Sequence, residues 1–179
     1  RNTWPNEKGL SASKHFSSIA KSVKIFPTIP EAIKKSDLVI ATTIRQRDIK
    51  IPQIKIKDLK KINAKNISII FGQENNGLSN NEISYSNYIL TIPTVNHSSL
   101  NLSHSISVIA YELSQLDSLD LSFKKSNYLK SDQIENFVNF LMKTLNRRKF
   151  TTVASKKLNL EISIRNFLKT SKIDEKSLK

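Results

Sequence analysis

Glycine is scarce in this chain: three among 179 residues, at positions 9, 72 and 77. Two of them share one stretch, Phe71-Gly72-Gln73-Glu74-Asn75-Asn76-Gly77-Leu78, directly after an Ile-rich run. Glycine at a strand end lets the backbone turn through positive φ or approach a ligand closely; an ordinary turn is the alternative. Two other segments have a matching form. Ala41-Thr42-Thr43-Ile44-Arg45-Gln46-Arg47 places small hydroxyl residues and then two arginines after an apolar run. Ile92-Pro93-Thr94 opens a polar loop, Val95 to Leu102, ahead of a long helical pattern. Free N–H groups at such a helix start can hold a polar or anionic ligand. In parallel α/β sheets the ligand crevice lies beyond the carboxyl ends of the strands, so three such loops can build one crevice.

The side chains there suggest roles. Ser99 and Asn101 are candidates for positioning polar groups, with helix capping as the competing role for Ser99. Glu74 reads as a loop organiser rather than a general base. Arg45 and Arg47 head a basic segment and suit bidentate phosphate contact. His97 and His104 lack a Cys or carboxylate at ligand spacing, so no metal is expected. No G-x-G-x-x-G follows the first strand, which argues against a dinucleotide fold. Trp4 and Phe16 read as core anchors, and Glu112 as a helix carboxylate, either bonded in the core or solvated.

The elements that must position these groups alternate. Strands are expected at Val23–Phe26, Leu38–Thr42, Ile67–Phe71 and Tyr88–Ile92. Helices are expected at Ser11–Ser22, Ile29–Lys35, Asn80–Ser84, Ser103–Leu116, Asp132–Leu145 and Leu158–Leu168, from apolar residues at helical spacing. Ile- and Val-rich strands alternating with helices predict an α/β fold with a largely parallel sheet. Residues 117–130 are polar and read as a linker.

Charge sharpens the picture. Twenty-nine Lys and Arg oppose 15 Asp and Glu, a net +14, which suggests a polyanionic partner, nucleic acid first; a codon-biased composition is the alternative. From Asn66 to Phe123 there is no Lys or Arg, where even spacing would place roughly nine. Arg45 to Lys65 carries eight cations against two aspartates. A cation-free core and pocket with a basic rim follows. There is no Cys, hence no disulfide, thiol nucleophile or Cys-held zinc, which fits a reducing, cytoplasmic setting. No apolar run reaches the roughly 18 residues of a membrane span.

FGQENNGLSNNEI, YILTIPT and SSLNLSHSISVIAYEL, in that order, closely resemble motifs two and three of the SpoU branch of the SPOUT RNA methyltransferases. RNTWPNEKGLSASKH, LVIATTIRQR and, near the end, LEISIRNFLKTSKI resemble the bacterial tRNA cytidine/uridine ribose 2′-O-methyltransferases of the TrmJ type. The resemblance covers nearly the whole chain. It implies a SPOUT-type parallel sheet flanked by helices with a trefoil knot in residues 1–120, a linker over 121–131, and a small helical extension over 132–179. It implies S-adenosyl-L-methionine as cofactor, tRNA as substrate at the first nucleotide of the anticodon loop, and a homodimer. Another tRNA or rRNA site, or a non-catalytic RNA-binding module, is the alternative. Carried over, Thr42, Thr43 and Ile44 line the cofactor pocket. Gly72 contacts the ligand, with Glu74 and Gly77 shaping its loop. Ile92 presents backbone groups to the adenine. Ser98, Ser99, Leu100 and Asn101 close the pocket, with Leu102 beneath.

The sequence departs from the family pattern in two places. The loop between Ile92 and Ser99 is slightly short. Motif one, with its Asn and catalytic Arg, has no counterpart: Arg1 falls just past it, and the only Met is Met142. The expectation is a fragment whose main catalytic Arg lies upstream, and which is weak or inactive as it stands.

Overall fold

Leu38–Thr42 (β1) is five residues of unbroken apolar and small character, and four of them are fully buried. A strand buried on both faces needs neighbours on both edges and cover above and below. The computed structural model, which describes residues 6–45, 49–62, 64–95, 99–115, 129–150 and 152–171, supplies them. Gln53–Lys55 (β2), Ile67–Ile70 (β3) and Tyr88–Thr91 (β4) complete a four-stranded sheet in the order β2-β4-β1-β3. All three pairings are parallel. In register, Ile40 stands beside Ile69 and Tyr88, and Thr42 beside Leu90.

Alternation along the strands divides the core. Leu38, Ile40 and Leu90 point to one face, where they meet Leu59 and Ile109. Ala41 and Ile89 point to the other, against Ile51, Leu78 and Ile83. Ile109 belongs to the helix Leu102–Ser114, and Ile83 to the short helix Asn80–Ser84.

Counting helices along the chain gives Glu7–Ala12 (α1), Ser17–Ser22 (α2), Ile29–Ile33 (α3), Asn80–Ser84 (α4), Leu102–Ser114 (α5), Ser131–Arg147 (α6) and Ala154–Thr170 (α7). The helix expected over Ser11–Ser22 is broken, with a 3-10 turn at Lys14–Phe16. Ser13 explains part of this: its hydroxyl donates to the Leu10 carbonyl at 2.7 Å, and such local bonds compete with helix continuation. Lys14 has φ of 42°. Phe16, expected in the core, is 67% exposed. Val23–Phe26 joins no sheet among the described residues, and Val23, Ile25 and Phe26 are exposed; β propensity without a neighbouring edge does not make a strand. Conversely, β2 has no counterpart among the expected strands. It is three residues at the sheet edge, and its Lys and Gln are exposed, as edge strands often are.

The polar stretch before α6 lies largely outside the described residues. Beyond it, α6 packs on α3 and α7, and α7 packs on α4. Leu129, Ile134, Val138 and Leu168 form their shared apolar seam, and the Ser131 amide donates to the Ser36 carbonyl at 3.1 Å. Among the described residues no helix is long and apolar enough to cross a membrane.

Candidate functional site

The carboxyl ends of β1, β3 and β4 and the start of α5 enclose a cavity of about 310 Å³. Its first wall is Thr42, Thr43, Ile44 and Arg45. Hydroxyls lace this wall to its neighbours. Thr42 Oγ1 donates to the Ile70 carbonyl at 2.9 Å, and Thr91 Oγ1 donates to the Thr43 carbonyl at 2.9 Å. The Thr43 amide donates to the Leu90 carbonyl at 3.2 Å. Threonine at strand ends therefore continues the ladder with side chains where the backbone pairing stops.

The second wall is the loop after β3. Gln73 and Gly77 face each other across a tight turn, with the Gly77 amide donating to the Gln73 carbonyl at 2.7 Å. Gly77 has φ of 65°, a conformation that side chains with a Cβ resist. Gly72 is required for a different reason. A Cβ there would stand 2.3 Å from the Gly77 carbonyl carbon and 2.4 Å from the Leu78 nitrogen. The loop folds back on Gly72 so closely that only hydrogen fits. Glu74 and Asn75 sit exposed on its rim and line the cavity mouth.

Leu90, Ile92 and Thr94 form the third wall, and Ser99, Leu100, Leu102 and Ser105 the fourth. Asn101 caps α5: its Oδ1 accepts from the Ser103 amide at 2.8 Å and from the Ser103 hydroxyl at 2.7 Å. The cap expected as an alternative at Ser99 thus falls to Asn101. Asn101 is exposed and not among the lining residues, with its oxygen committed to the cap, whereas Ser99 is exposed on the wall and among the described residues its hydroxyl makes a long bond, 3.4 Å, to the Leu100 carbonyl.

Of the residues singled out from the sequence, Thr42, Thr43, Ile44, Arg45, Gly72, Glu74, Gly77, Ile92, Ser99, Leu100 and Leu102 share this one cavity. Ser98, His97 and Arg47 lie outside the described residues. Phe71, Gln73, Asn75, Leu90, Thr94 and Ser105 also line it, without having been singled out from the sequence. Ser105 carried a signal, since it lies one turn after Leu102 on the same helix face. His104 is exposed on α5, and the described residues hold no cluster of groups suited to a metal.

Comparison with known proteins agrees with this layout. A sequence model of the SpoU rRNA Methylase family matches residues 2–111. Over 152 residues the chain is 26% identical to a tRNA (cytidine/uridine-2′-O-)-methyltransferase TrmJ of Pectobacterium atrosepticum, covering 79% of this chain and 63% of that protein. Over 115 residues it is 36% identical to a tRNA (cytidine-2′-O-)-methyltransferase TrmJ of Methanocaldococcus jannaschii, covering 60% of this chain and 50% of that protein. The chain therefore spans between half and two thirds of the length of these relatives. The crystal structure of TrmJ from Z. mobilis ZM4 superposes with a TM-score of 0.86 at 22% identity, covering 98% of this chain and 78% of that one; it shows the same α/β architecture. With the glycine loop, the strand-end threonines and the capped α5 converging on one cavity, and the family match spanning all of them, the chain belongs to the SpoU rRNA methylase family.

Proposed function

We propose that the protein catalyses 2′-O-methylation of a tRNA ribose with S-adenosyl-L-methionine as methyl donor. The observation that carries this is the convergence of four segments on one cavity. Its lining suits an adenosine-bearing sulfonium. Ile44, Leu90, Ile92, Leu100 and Leu102 offer apolar surface for a flat base. Thr42, Thr43, Thr94, Ser99 and Ser105 offer hydroxyls, and Glu74 places a carboxylate at the mouth. About 310 Å³ lies within the range of small-molecule sites. When bound, the cofactor supplies an electrophilic methyl group on sulfur.

The chain's own residues then have separate roles. Thr42, Thr43 and Ile92 hold the nucleoside against the strand ends. Gly72, Glu74 and Gly77 shape the opposing loop. Ser99 orients polar groups at the mouth, and Asn101 acts through the cap that sets the start of α5. Arg45, exposed at the rim, and Arg47 take RNA phosphates. A ribose hydroxyl is a weak nucleophile near neutral pH, so in-line approach and proton removal supply most of the acceleration. The reading includes a trefoil-knotted trace through residues 1–120, a homodimer, and action in the cytoplasm. It places the target at the first nucleotide of the anticodon loop.

The matched family's name points to rRNA and the relatives' names to tRNA, so the test has both arms. Calorimetric titration with S-adenosylhomocysteine should show one site per chain, weakened by substitutions at Thr42 and Gly72. Mapping of 2′-O-methyl groups on tRNA and rRNA transcripts should then find the product in tRNA. Binding without any methylation supports a non-catalytic RNA-binding module instead.

A further inference from the structure

Among the described residues the largest fully buried side chain is cationic. Arg165, in the middle of α7, is 0% exposed. Its Nε donates to Glu135 Oε1 at 2.7 Å and its Nη2 to Glu135 Oε2 at 3.1 Å, a two-pronged pair with α6. Nη2 also donates to Glu161 Oε1 at 2.6 Å, one turn earlier on α7. Nη1 crosses to the body of the protein and donates to Ser84 Oγ at 2.8 Å, between residues 81 positions apart. The guanidinium lies 4.2 Å from the centre of the Tyr85 ring. Burying such an ion is expensive unless its donors are satisfied, and here a planar fork meets four partners on three helices.

Ser84 and Tyr85 occupy an informative place in the chain. They end α4, the midpoint of a segment whose two ends both wall the cavity. Upstream, Gly72 to Gly77 leads through buried Leu78 to the Ser79 cap of α4, where Ser79 and Glu82 bond reciprocally. Downstream, Asn87 anchors to β1, its Oδ1 accepting from the Val39 amide at 2.9 Å, and β4 runs to Leu90 and Ile92. Each connection is short and carries a buried anchor, Leu78 upstream and Asn87 downstream, so displacing α4 moves both walls.

We propose that Arg165 is a positioning residue for the cavity. By gripping Ser84 and Tyr85 from α7, it sets where α4 stands and so the gap between the Gly72–Gly77 loop and the end of β4. The helix pair α6–α7 is then part of the frame of the nucleoside site. The inference rests on reading the cavity as that site.

The test compares the wild-type chain with Arg165→Met, Arg165→Lys and Ser84→Ala. It uses calorimetry with S-adenosylhomocysteine and amide hydrogen exchange, well below each variant's melting temperature. Arg165→Met should weaken binding by about tenfold, because small misplacements at a site have large effects. It should speed exchange over residues 72–78 and 88–94 while residues 38–42 and 67–70 keep their protection. Arg165→Lys, which keeps the charge but loses the fork, should fall between the two. A purely structural role would raise exchange everywhere in proportion to lost stability. That result, or unchanged exchange over 72–78, overturns the proposal. If Arg165→Met does not fold, Ser84→Ala decides by the same readings. If the wild-type chain itself ignores S-adenosylhomocysteine, the functional reading fails, and the exchange pattern alone still decides whether Arg165 positions these walls.

Discussion

A methyl group at Gly72 would press into the backbone of Gly77 and Leu78 rather than into a yielding side chain. Gly72→Ala should therefore displace the loop, lower stability by about 1–3 kcal/mol, and weaken S-adenosylhomocysteine binding about tenfold or more. At Gly77 a Cβ meets open space, but φ is 65°; Gly77→Ala should lower stability by about 1 kcal/mol with a smaller effect on binding. Melting curves and calorimetry on both variants check the contrast. A second residue-scale prediction concerns Lys169 on α7. Its ammonium nitrogen is sealed from solvent and makes no hydrogen bond among the described residues. Burial lowers its pKa from 10.5 to about 8, with Glu135 opposing and Arg165 adding to the shift. Between those values the unfolded chain binds more protons than the native one, so this group makes stability rise as pH rises from 8 to 10.5. Below pH 8 the whole penalty is present. Lys169→Met should accordingly stabilise the protein at about pH 7, by about 1–3 kcal/mol, and the gain should shrink above that lowered pKa when unfolding is followed against pH. The same buried cluster acts on Tyr85 and Arg165. Burial raises the Tyr85 phenol above its ordinary value, partly offset by Arg165. For Arg165 burial acts downward, but the bonds to Glu135 and Glu161 and the nearby charges leave it raised.

Among the elements, α5 depends on one side chain for its start. Asn101→Ala removes the acceptor for the Ser103 amide and hydroxyl and should lower stability by about 1 kcal/mol. It should also loosen Leu102 and Ser105 in the cavity wall, seen as weaker S-adenosylhomocysteine binding; Asn101→Asp, which keeps a capping oxygen, should restore most of it. Elements also show what the sequence can and cannot disclose. β1, β3 and β4 were legible because apolar runs ending in Thr, Gly or Pro state both the element and its stop, and α5 because its apolar residues recur at helical spacing. The three loops were legible as one site because parallel strands send their carboxyl ends the same way. β2 was not, since three residues, two of them exposed, are too few to carry a periodicity. Val23–Phe26 misled because apolar alternation says nothing about whether an edge is waiting. The contact between Arg165 and Ser84 had no local signature at all, as it joins residues far apart along the chain. Asn101 stands where the sequence places it and caps α5 there. Small polar residues before a helix serve a ligand or the helix itself, and geometry alone separates the two.

At the scale of the molecule, charge is sorted by depth. The cation-free stretch from Asn66 onward supplies β3, β4, the glycine loop and α5, hence the sheet's core and most of the cavity. The basic stretch begins with Arg45 at the cavity rim and continues along the exposed β2 edge with Lys50, Lys55 and Lys57. A polyanion drawn to that edge is delivered to the mouth. Removing the cation by Arg45→Ala should weaken tRNA binding and reduce the slope of log affinity against log salt by about 0.7–0.9; filter binding across a salt series measures it. The strand order has a consequence of another kind. Among the described strands β4 is the last made, yet it lies between β1 and β2. As the polypeptide leaves the ribosome, two open edges must wait, with a slot between them, until residues 88–91 arrive to fill it. Such late, long-range closure makes for slow folding, and for a nascent chain whose stickiest surface is uncovered just when a chaperone would find it.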